Sequence, residues 1–130
     1  MSAAACPCGS GRDFAACCGP YLDGVTAAPT AEALMRSRYS AFVRGDADYL
    51  LASWHPDTRP AALDHDPGLK WLGLRILAVE QGGAGDATGV VEFVARCKRA
   101  GRAERLHERS SFVRSAGRWV YLRGIDPRPR

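Results

Sequence analysis

Four of the five cysteines lie within the first 18 residues of this 130-residue chain, and this cluster narrows the possible folds more than any other pattern in it. Cys6 and Cys8 are separated by one residue, and Cys17 and Cys18 follow as neighbours after eight more. Two disulfides would require an oxidising compartment and a strained ring between adjacent residues. Four thiolates around one ion are easier to build, because zinc accepts four sulfurs in a tetrahedron. We therefore expect these cysteines to hold a single metal ion, with free or redox-labile thiols as the alternative interpretation.

The segment that carries the cysteines is too short to fold by burying its own side chains. Phe14 is the only large apolar side chain that we expect to cap it. Metal binding supplies roughly 10–16 kcal/mol in small zinc peptides, which is enough to fix such a segment. The run Gly9-Ser10-Gly11 predicts a tight turn whose N–H groups can donate to the sulfurs. Because four sulfurs leave no open coordination position, we expect a structural metal and not a catalytic one.

The overall composition is that of a globular protein without a membrane span. Hydrophobic residues make up 46% of the chain and charged residues 25%. No apolar run approaches the roughly 20 residues of a membrane helix, and the first five residues lack the basic and apolar regions of a secretory signal. We therefore expect a cytoplasmic protein, in a compartment where thiols stay reduced. The net charge of +4 permits anionic partners without requiring them.

Helical patterns follow a turn-rich connector over residues 19–30. Thr30 predicts the N-cap of a first helix that ends at Gly45, and Asp46 predicts the cap of a second, short helix that stops at the next His-Pro pair. Residues 56–68, with three prolines and three aspartates, predict a loop with room for a short helical turn. The apolar stripe of the first helix comprises Leu34, Met35, Tyr39, Phe42 and Val43, while Arg36, Arg38 and Arg44 take other positions.

Four strand patterns separated by turn residues fill the second half of the chain. The predicted strands cover residues 71–80, 89–98, 104–114 and 118–124. Helices followed by an antiparallel meander predict an α+β domain, in which a long curved sheet packs on helices as a cone with an apolar mouth. Pockets of this kind commonly hold small ligands. The late start of the helical pattern divides the chain into a metal knuckle over residues 1–26 and an α+β domain over 27–130.

The run CPCGSGRDFAACCGPYLDG resembles the SEC-C motif, a short metal-binding module found at the C-terminus of SecA and in many small bacterial proteins. The resemblance implies that Cys6, Cys8, Cys17 and Cys18 are the metal ligands. It also implies zinc as the usual metal, with iron left open, and a role in contacts between proteins.

The stretches LMRSRYSAFVRGDADYLLASWHP and LHERSSFVRSAGRWVYLRG resemble the YchJ-like family, so that the resemblance covers nearly the whole chain. It implies a nuclear transport factor 2-like, cystatin-like domain in which a curved sheet encloses a helix-lined pocket. It implies no settled biochemical activity. Some YchJ-like proteins carry a second knuckle at the C-terminus, and because this sequence stops at Arg130 without one, we expect a single metal site.

Nine residues are candidates for the wall of the cone. Strand alternation places Glu108 on the same face of the third strand as Phe112, with His107 on the other face. If Phe112 points into the cone, burial raises the pKa of Glu108 towards general acid–base use, unless Arg36 or Arg38 pairs with it. A structural ion pair, an orienting role for a ligand and catalysis therefore stay open for Glu108. The candidates are Tyr39, Trp54, His55, Trp71, Phe93, Glu108, Phe112, Trp119 and Tyr121.

Two smaller features involve the fifth cysteine and the histidines. Cys97 lies beside Arg96 and Lys98, which would lower its pKa and make it reactive if it were exposed, but we expect it to be buried. His55 and His107 could form a proton-transfer pair, although nothing in the sequence brings them together, and structural or surface roles are the expectation for each.

A basic cluster surrounds the turn between the second and third predicted strands. Few aromatic residues interleave with it, so no base-stacking platform is indicated, and we expect a solvated hairpin. Weak contact with RNA or another phosphate-bearing partner is the alternative. The cluster comprises Arg96, Lys98, Arg99, Arg102 and Arg105.

These features lead to two main hypotheses about function. The first is a non-enzymatic adaptor whose zinc-held knuckle presents a rigid surface to a protein partner. The second is a small-molecule binding protein or enzyme that uses the cone, and nucleic-acid binding by the hairpin is a weaker third. An open cavity would favour the second hypothesis, and a cone filled by its own side chains would favour the first.

Overall fold

In the computed structural model, which describes residues 4–63 and 68–125, short helices precede four long strands. The helices are α1 (Gly19–Leu22), α2 (Ala31–Arg44) and α3 (Ala47–Ala52), with a single 3-10 turn over Phe14–Ala16. The strands are β1 (Leu69–Gln81), β2 (Thr88–Arg99), β3 (Arg102–Ser115) and β4 (Arg118–Ile125). The predicted α+β class is confirmed. The loop predicted over residues 56–68 carries no helix or strand in its described part, and residues 64–67 lie outside the described residues.

The four strands form one antiparallel sheet in the order β1-β2-β3-β4. Two-residue turns join β2 to β3 and β3 to β4, and both residues of each turn have positive φ, at 51° and 80° for Ala100 and Gly101 and 53° and 81° for Ala116 and Gly117. Such turns match the twist of the strands that they connect. Register shifts in β1 and between Ser111 and Phe112 add the bends that curve the sheet.

Capping residues set the ends of the helices as predicted. The Thr30 hydroxyl accepts a hydrogen bond from the Ala33 N–H at 3.0 Å, and Gly45 ends α2 with a φ of 69°. The Asp46 side chain caps α3 by accepting from the Tyr49 N–H at 3.0 Å. The connector predicted over residues 19–30 was wrong at its start, where α1 forms. Pro20, at the first turn of α1, is the residue that favours it.

Helix α2 packs against β1, β2 and β4 and supplies four of the twelve residues that form the buried core cluster in the described part of the chain. Phe42 and Val43 were predicted on its apolar stripe, but both are 38% exposed. Arg38, predicted on the polar side, is only 4% exposed, because α3 covers it and accepts its hydrogen bonds. The buried core side chains on α2 and the sheet include Leu34, Met35, Tyr39, Val91, Phe93, Phe112 and Trp119.

The start of α2 is fixed to the sheet by close backbone contact. The Ala31 N–H donates to the Gly82 carbonyl at 2.9 Å. A Cβ at Gly82 would lie 2.7 Å from the Ala31 Cβ, and one at Gly89 would lie 2.5 Å from the Gly82 Cα. Larger residues at either glycine would therefore push α2 away from the sheet.

The cysteine segment packs against α2 and shares the core of the α+β domain. The buried core includes Cys6, Cys8 and Cys18, and Phe14 packs against the edge of this core. The guanidinium carbon of Arg44 lies over the Phe14 ring, 4.5 Å from its centroid. The division into residues 1–26 and 27–130 stays a prediction, because contact between two segments does not decide whether each folds alone. Among the described residues, no helix has the length and apolar character needed to cross a membrane.

Candidate metal centre

The sulfur atoms of Cys6, Cys8, Cys17 and Cys18 all lie within 4.8 Å of one another. The Cys8 and Cys17 sulfurs are 3.7 Å apart, close to the roughly 3.8 Å edge of a tetrahedron with 2.3 Å zinc–sulfur bonds. A disulfide would bring two sulfurs to about 2.05 Å, and all five cysteines are free thiols. The four sulfurs are therefore close enough together to hold one metal ion.

A small hairpin positions the first pair of cysteines. The Cys6 N–H donates to the Arg12 carbonyl at 2.9 Å, and the Phe14 N–H donates to the Ala4 carbonyl at 2.9 Å. Between these bonds, Gly9 and Gly11 turn the chain with φ values of 80° and 84°. The turn that was predicted from the two glycines therefore lies where it brings Cys6 and Cys8 to face one side.

The second pair of cysteines lies where two short helical segments meet. The Cys17 N–H donates to the Phe14 carbonyl at 3.1 Å, which closes the 3-10 turn, and Cys18 is the residue before α1. A Cβ at Gly19 would lie 2.9 Å from the Phe14 carbonyl oxygen, so this close approach of the backbone requires glycine at position 19. This tight passage holds Cys17 and Cys18 against the first pair.

Neighbouring polar groups contact the sulfurs and would offset their negative charge. The Ser10 hydroxyl lies 3.2 Å from the Cys17 sulfur, and the Ser40 hydroxyl lies 3.5 Å from the Cys6 sulfur. Four thiolates around a divalent ion carry a net charge of about −2, and such outer contacts orient and stabilise metal ligands. Ser40 lies on α2, and the sequence offered no signal for its contact, since it depends on how the helix packs.

Arg36 joins α2 to the cysteine segment. Its Nη1 donates to the Cys8 carbonyl at 2.9 Å and lies 4.0 Å from the Cys8 sulfur, while its Nε donates to Glu32 at 3.0 Å. Burial alone would lower the pKa of Arg36, but its bonds to Glu32 and Cys8 raise it instead. A guanidinium that stays charged at this position counters the charge of the sulfurs.

The four thiols differ in how readily they ionise. The hydrogen bond from Cys18, with help from Ser10, lowers the pKa of Cys8 to about 4, whereas the same bond raises the pKa of Cys18. Burial raises the pKa of Cys17. Cys8 is therefore the first thiolate of the cluster, and protons must leave the other sulfurs when a metal binds.

Cys17 and Cys18 line an open hollow at the surface. Cys6, Cys8 and Cys18 are buried, while Cys17 is partly exposed at the edge of a hollow of about 320 Å³. Its wall also includes Ser10, Arg12, Tyr21, Glu32 and Arg36. The knuckle therefore presents a surface of mixed charge next to the sulfurs.

The cone contains an open cavity of about 140 Å³ between α2 and the sheet. Six of the nine predicted residues line it, namely Tyr39, Trp54, Trp71, Phe93, Glu108 and Tyr121. Arg38 and Ser110 also line it. Ser110 shares a face of β3 with Glu108, as strand alternation predicts, whereas helical periodicity placed Arg38 outside the apolar stripe of α2. The cavity is thus a mainly aromatic chamber with a few polar groups.

The three other candidates take structural positions away from this cavity. Phe112 is fully buried against the ring of Tyr121. Trp119 is buried further along β4, and its Nε1 donates to the Pro29 carbonyl at 3.2 Å. The His55 N–H donates to the Tyr121 carbonyl at 2.8 Å, and its ring nitrogen accepts from the Asp57 N–H. Both residues belong to the buried core beyond the end of the cavity, Phe112 two residues after Ser110 and Trp119 two residues before Tyr121.

Of the roles left open for Glu108, the ion pair with an arginine of α2 is not present among the described residues. Arg36 turns towards the cysteine segment, and Arg38 bonds to α3. Glu108 instead bonds to Ser110 and lies against Gly124, where a Cβ would be 2.2 Å from its Oε1. Burial raises the pKa of Glu108, and the bond to Ser110 offsets part of that effect.

The remaining candidates have local partners. His107 lies 2.6 Å from Glu92 on the outer side of the sheet, so His55 and His107 have different partners and do not form a pair. Cys97 is buried, as expected. The basic residues of the β2–β3 hairpin are mostly exposed around its turn, with Arg96 opposite Arg105 and Arg99 opposite Arg102.

Comparisons with known proteins agree with this architecture. The family described as YchJ, middle NTF2-like domain, matches residues 30–124, and the SEC-C motif matches residues 4–20. A UPF0225 protein of Chromobacterium violaceum is 60% identical over 126 residues, which are 94% of this chain and 93% of that protein. A UPF0225 protein of Streptomyces coelicolor is 56% identical, over 92% of this chain and 93% of that protein.

Two solved structures are also similar. The solution structure of a SEC-C motif containing protein from Rhodopseudomonas palustris has a TM-score of 0.83 and 38% identity, and the match covers 95% of this chain and 98% of that one. The crystal structure of a SEC-C motif containing protein from Psychrobacter arcticus has a TM-score of 0.76 and 29% identity, over 96% of this chain and 84% of that one.

Proposed function

The chain belongs to the YchJ-like family, with a SEC-C motif ahead of a nuclear transport factor 2-like domain, and on that premise we propose that its cysteines hold a structural zinc ion on which a docking surface is built. The observation that carries the proposal is the approach of all four sulfurs to within 4.8 Å of one another. Within residues 4–22 the buried residues are only Cys6, Cys8, Cys18 and Gly19, so this part of the segment has no apolar core of its own.

Zinc suits this cluster better than iron on chemical grounds. Tetrahedral four-sulfur sites take either metal. A closed site with three buried sulfurs and no open coordination position is typical of structural zinc, which has no redox chemistry to support. The thiols must stay reduced to bind it, which favours the cytoplasm as the compartment.

The docking surface that we propose is the hollow beside Cys17. The metal fixes the backbone of the knuckle, so the side chains around the hollow stand on a rigid base. Arg12 and Arg36 give this surface positive charge next to the carboxylate of Glu32. The proposed occupant is an acidic segment of a protein partner that places a carboxylate on Arg12, because this exposed guanidinium has no carboxylate partner among the described residues, whereas Arg36 is paired with Glu32.

Elemental analysis of the purified protein tests the metal. We expect one zinc per chain in the unaltered protein and a loss of bound metal in Cys17→Ser, which removes a ligand. Cys97→Ser is the matched control, because Cys97 is a buried cysteine of β2 outside the cluster and should keep its zinc. One metal retained by Cys17→Ser, or iron in place of zinc, would contradict the proposal.

Affinity purification from cells tests the docking surface. Arg12→Glu reverses a charge at the hollow without changing a sulfur, and Arg102→Glu makes the same change at the distant hairpin. A partner recovered with the unaltered chain and with Arg102→Glu, but lost with Arg12→Glu at full zinc content, is the expected result. Equal recovery with both variants would refute docking at the hollow.

A further inference from the structure

Arg38 is a charged side chain held almost entirely inside the domain. It is 4% exposed, and its Nη1 donates to the Leu50 carbonyl at 2.8 Å and to the Ser53 hydroxyl at 2.7 Å. The guanidinium also faces the rings of Trp54 and Tyr121, with its carbon 5.0 and 4.7 Å from their centroids. These contacts orient the guanidinium at the wall of the 140 Å³ cavity.

The positive charge of Arg38 has no anionic partner in the described part of the chain. Every ion pair within 4.0 Å there involves other residues, so no carboxylate reaches the guanidinium. Burial lowers the pKa of Arg38 to about 10. Aromatic faces and carbonyl dipoles solvate a cation but do not neutralise it, and an uncompensated buried charge costs several kcal/mol. An anion in the cavity would remove that cost.

Trp54 adds a second unsatisfied group to the same wall. Its Nε1 is buried and is the one buried side-chain nitrogen or oxygen without a hydrogen-bond partner among the described residues. A buried donor left without an acceptor costs about 1–3 kcal/mol. Trp54 lines the cavity beside Arg38, and a turn of its ring would let this buried N–H donate to an acceptor atom there.

The remainder of the wall is apolar and limits the size of a ligand. Tyr39, Trp71 and Phe93 contribute aromatic surface, and Phe42 and Leu106, both more than a third exposed, lie towards the solvent. A volume of about 140 Å³ is below the range of roughly 300–1,000 Å³ that holds drug-sized ligands. An apolar cavity of roughly 150 Å³ accepts one benzene ring. The cavity therefore suits a ligand whose apolar part is about the size of one benzene ring.

We propose that the cone binds a small monocarboxylic acid with a flat apolar body, whose carboxylate is recognised by Arg38 and the Trp54 N–H. Glu108 occupies another part of the wall, where Ser110 and the Gly124 backbone hold it. A carboxylate at that position repels a second acid group, so the cavity selects monoacids over diacids. This inference does not depend on the zinc proposal, because none of these residues contacts the cysteine sulfurs.

Titration of the full-length, metal-loaded chain with benzoate tests the proposal by nuclear magnetic resonance. Benzamide and benzylamine serve as neutral and cationic probes of the same size. We expect saturable shifts at Trp54 and Trp71 with benzoate, and at least tenfold weaker binding of the other two. Equal binding of benzamide, or no saturation with benzoate up to about 10 mM, would overturn the proposal.

Three variants locate the contact. Arg38→Met should weaken benzoate binding at least tenfold, and Trp54→Phe should weaken it severalfold. Because Arg38 also holds α3, its loss could unfold the domain, so Glu108→Gln provides a measurement that does not depend on it. Removing the negative charge of Glu108 should tighten benzoate binding about two- to fivefold. Unchanged binding in Trp54→Phe together with no gain in Glu108→Gln would place benzoate elsewhere and refute the assignment.

Discussion

The cysteine segment and the sheet domain are built in opposite ways, although their side chains meet in one core. In the segment that ends with α1, the buried residues are three cysteines and a glycine, and the backbone is held by turns and single hydrogen bonds. The sheet domain buries Phe112, Val91 and Trp119 between long strands and a 14-residue helix. On the proposed function, an ion stabilises the first region, whereas burial of apolar side chains stabilises the second.

The difference teaches where each region is vulnerable. If the proposed metal is bound, chelation or loss of a thiolate acts on the cysteine segment, because metal binding supplies much of the folding free energy of such small segments. Deleting apolar volume acts on the sheet domain, because burial and packing stabilise it. Because α2 contacts both regions, these contacts determine how much a loss of stability in one region lowers the stability of the other.

Cys18→Ser should produce the largest effect, because a fully buried ligand is replaced by a hydroxyl that binds zinc poorly. We expect the metal to be lost and the amide of Cys6 to lose its protection from hydrogen exchange, while amides of β2 and β3 stay protected. Hydrogen-exchange measurements on both variants check this, with Cys97→Ser as the control. Loss of protection throughout the sheet would show that the two regions fold as one unit.

Phe112→Ala should cost about 3–5 kcal/mol in the free energy of unfolding, because this fully buried ring leaves a cavity at the centre of the sheet domain. Urea unfolding measures the loss, and elemental analysis of the folded protein should still find one zinc per chain. Leu77→Ala, at a side chain that is 40% exposed, should change stability by less than about 0.5 kcal/mol. If folded Phe112→Ala lost its zinc, metal binding would depend on packing in the sheet domain, and the two regions would not be stabilised independently.

Removal of residues 1–26 should leave a domain that melts cooperatively but is less stable by about 2–4 kcal/mol. The truncation uncovers part of Leu34 and Met35, and full exposure of one such side chain costs roughly 1.5–3 kcal/mol. Calorimetry of the truncated chain provides the measurement. Complete loss of cooperative melting would contradict the division at residue 26.

Arg36→Met should weaken zinc binding by about 10–100-fold while leaving the sheet domain intact, because this side chain holds the Cys8 carbonyl and lies near its sulfur. Competition with a chelator of known affinity measures the change. Arg44→Met is the matched control, since Arg44 contacts the Phe14 ring and not a sulfur. Equal weakening in both variants would mean that packing, and not charge, links α2 to the metal.

The smallest expected effect concerns pH and belongs to the sheet domain alone. Burial raises the pKa of Glu108 above its ordinary value of 4.5, so the folded state binds this proton more tightly than the unfolded state. The resulting stabilisation is complete below pH 4.5 and is lost as the pH rises through the raised pKa. The unfolding free energy of the natural chain should therefore fall relative to Glu108→Gln above that pH. Glu104→Gln, at an exposed carboxylate, should not reproduce the difference.

The sequence predicted the elements well where local rules decide them. Each predicted strand falls short of the observed one by at most two residues at either end, because alternation and turn glycines mark strand limits directly. Thr30, Gly45 and Asp46 likewise fixed the helix ends through their own hydrogen bonds or backbone angles. The family resemblance to YchJ-like proteins is confirmed by the matched domains.

What the sequence could not predict depends on how elements pack. Burial of Arg38 follows from the position of α3, and the contact of Ser40 with Cys6 follows from the angle of α2. Phe112 and Trp119, predicted on the wall, instead lie in the buried core, because the packing of α2 on the sheet determines where the cavity ends. Periodicity records which side a residue faces on its own element, and not which neighbour covers it.

Helix α2 is shared by the two regions in a way that limits how the molecule can be rearranged. Arg36 and Ser40 touch the cysteines from one side of the helix, while Arg38 and Tyr39 line the cone from another. An engineer who transplanted residues 4–24 to a new scaffold would leave two of the groups that contact the sulfurs behind. The transferred segment would have to include α2, and α2 would bring residues that line the cavity into a scaffold that lacks the rest of that cavity.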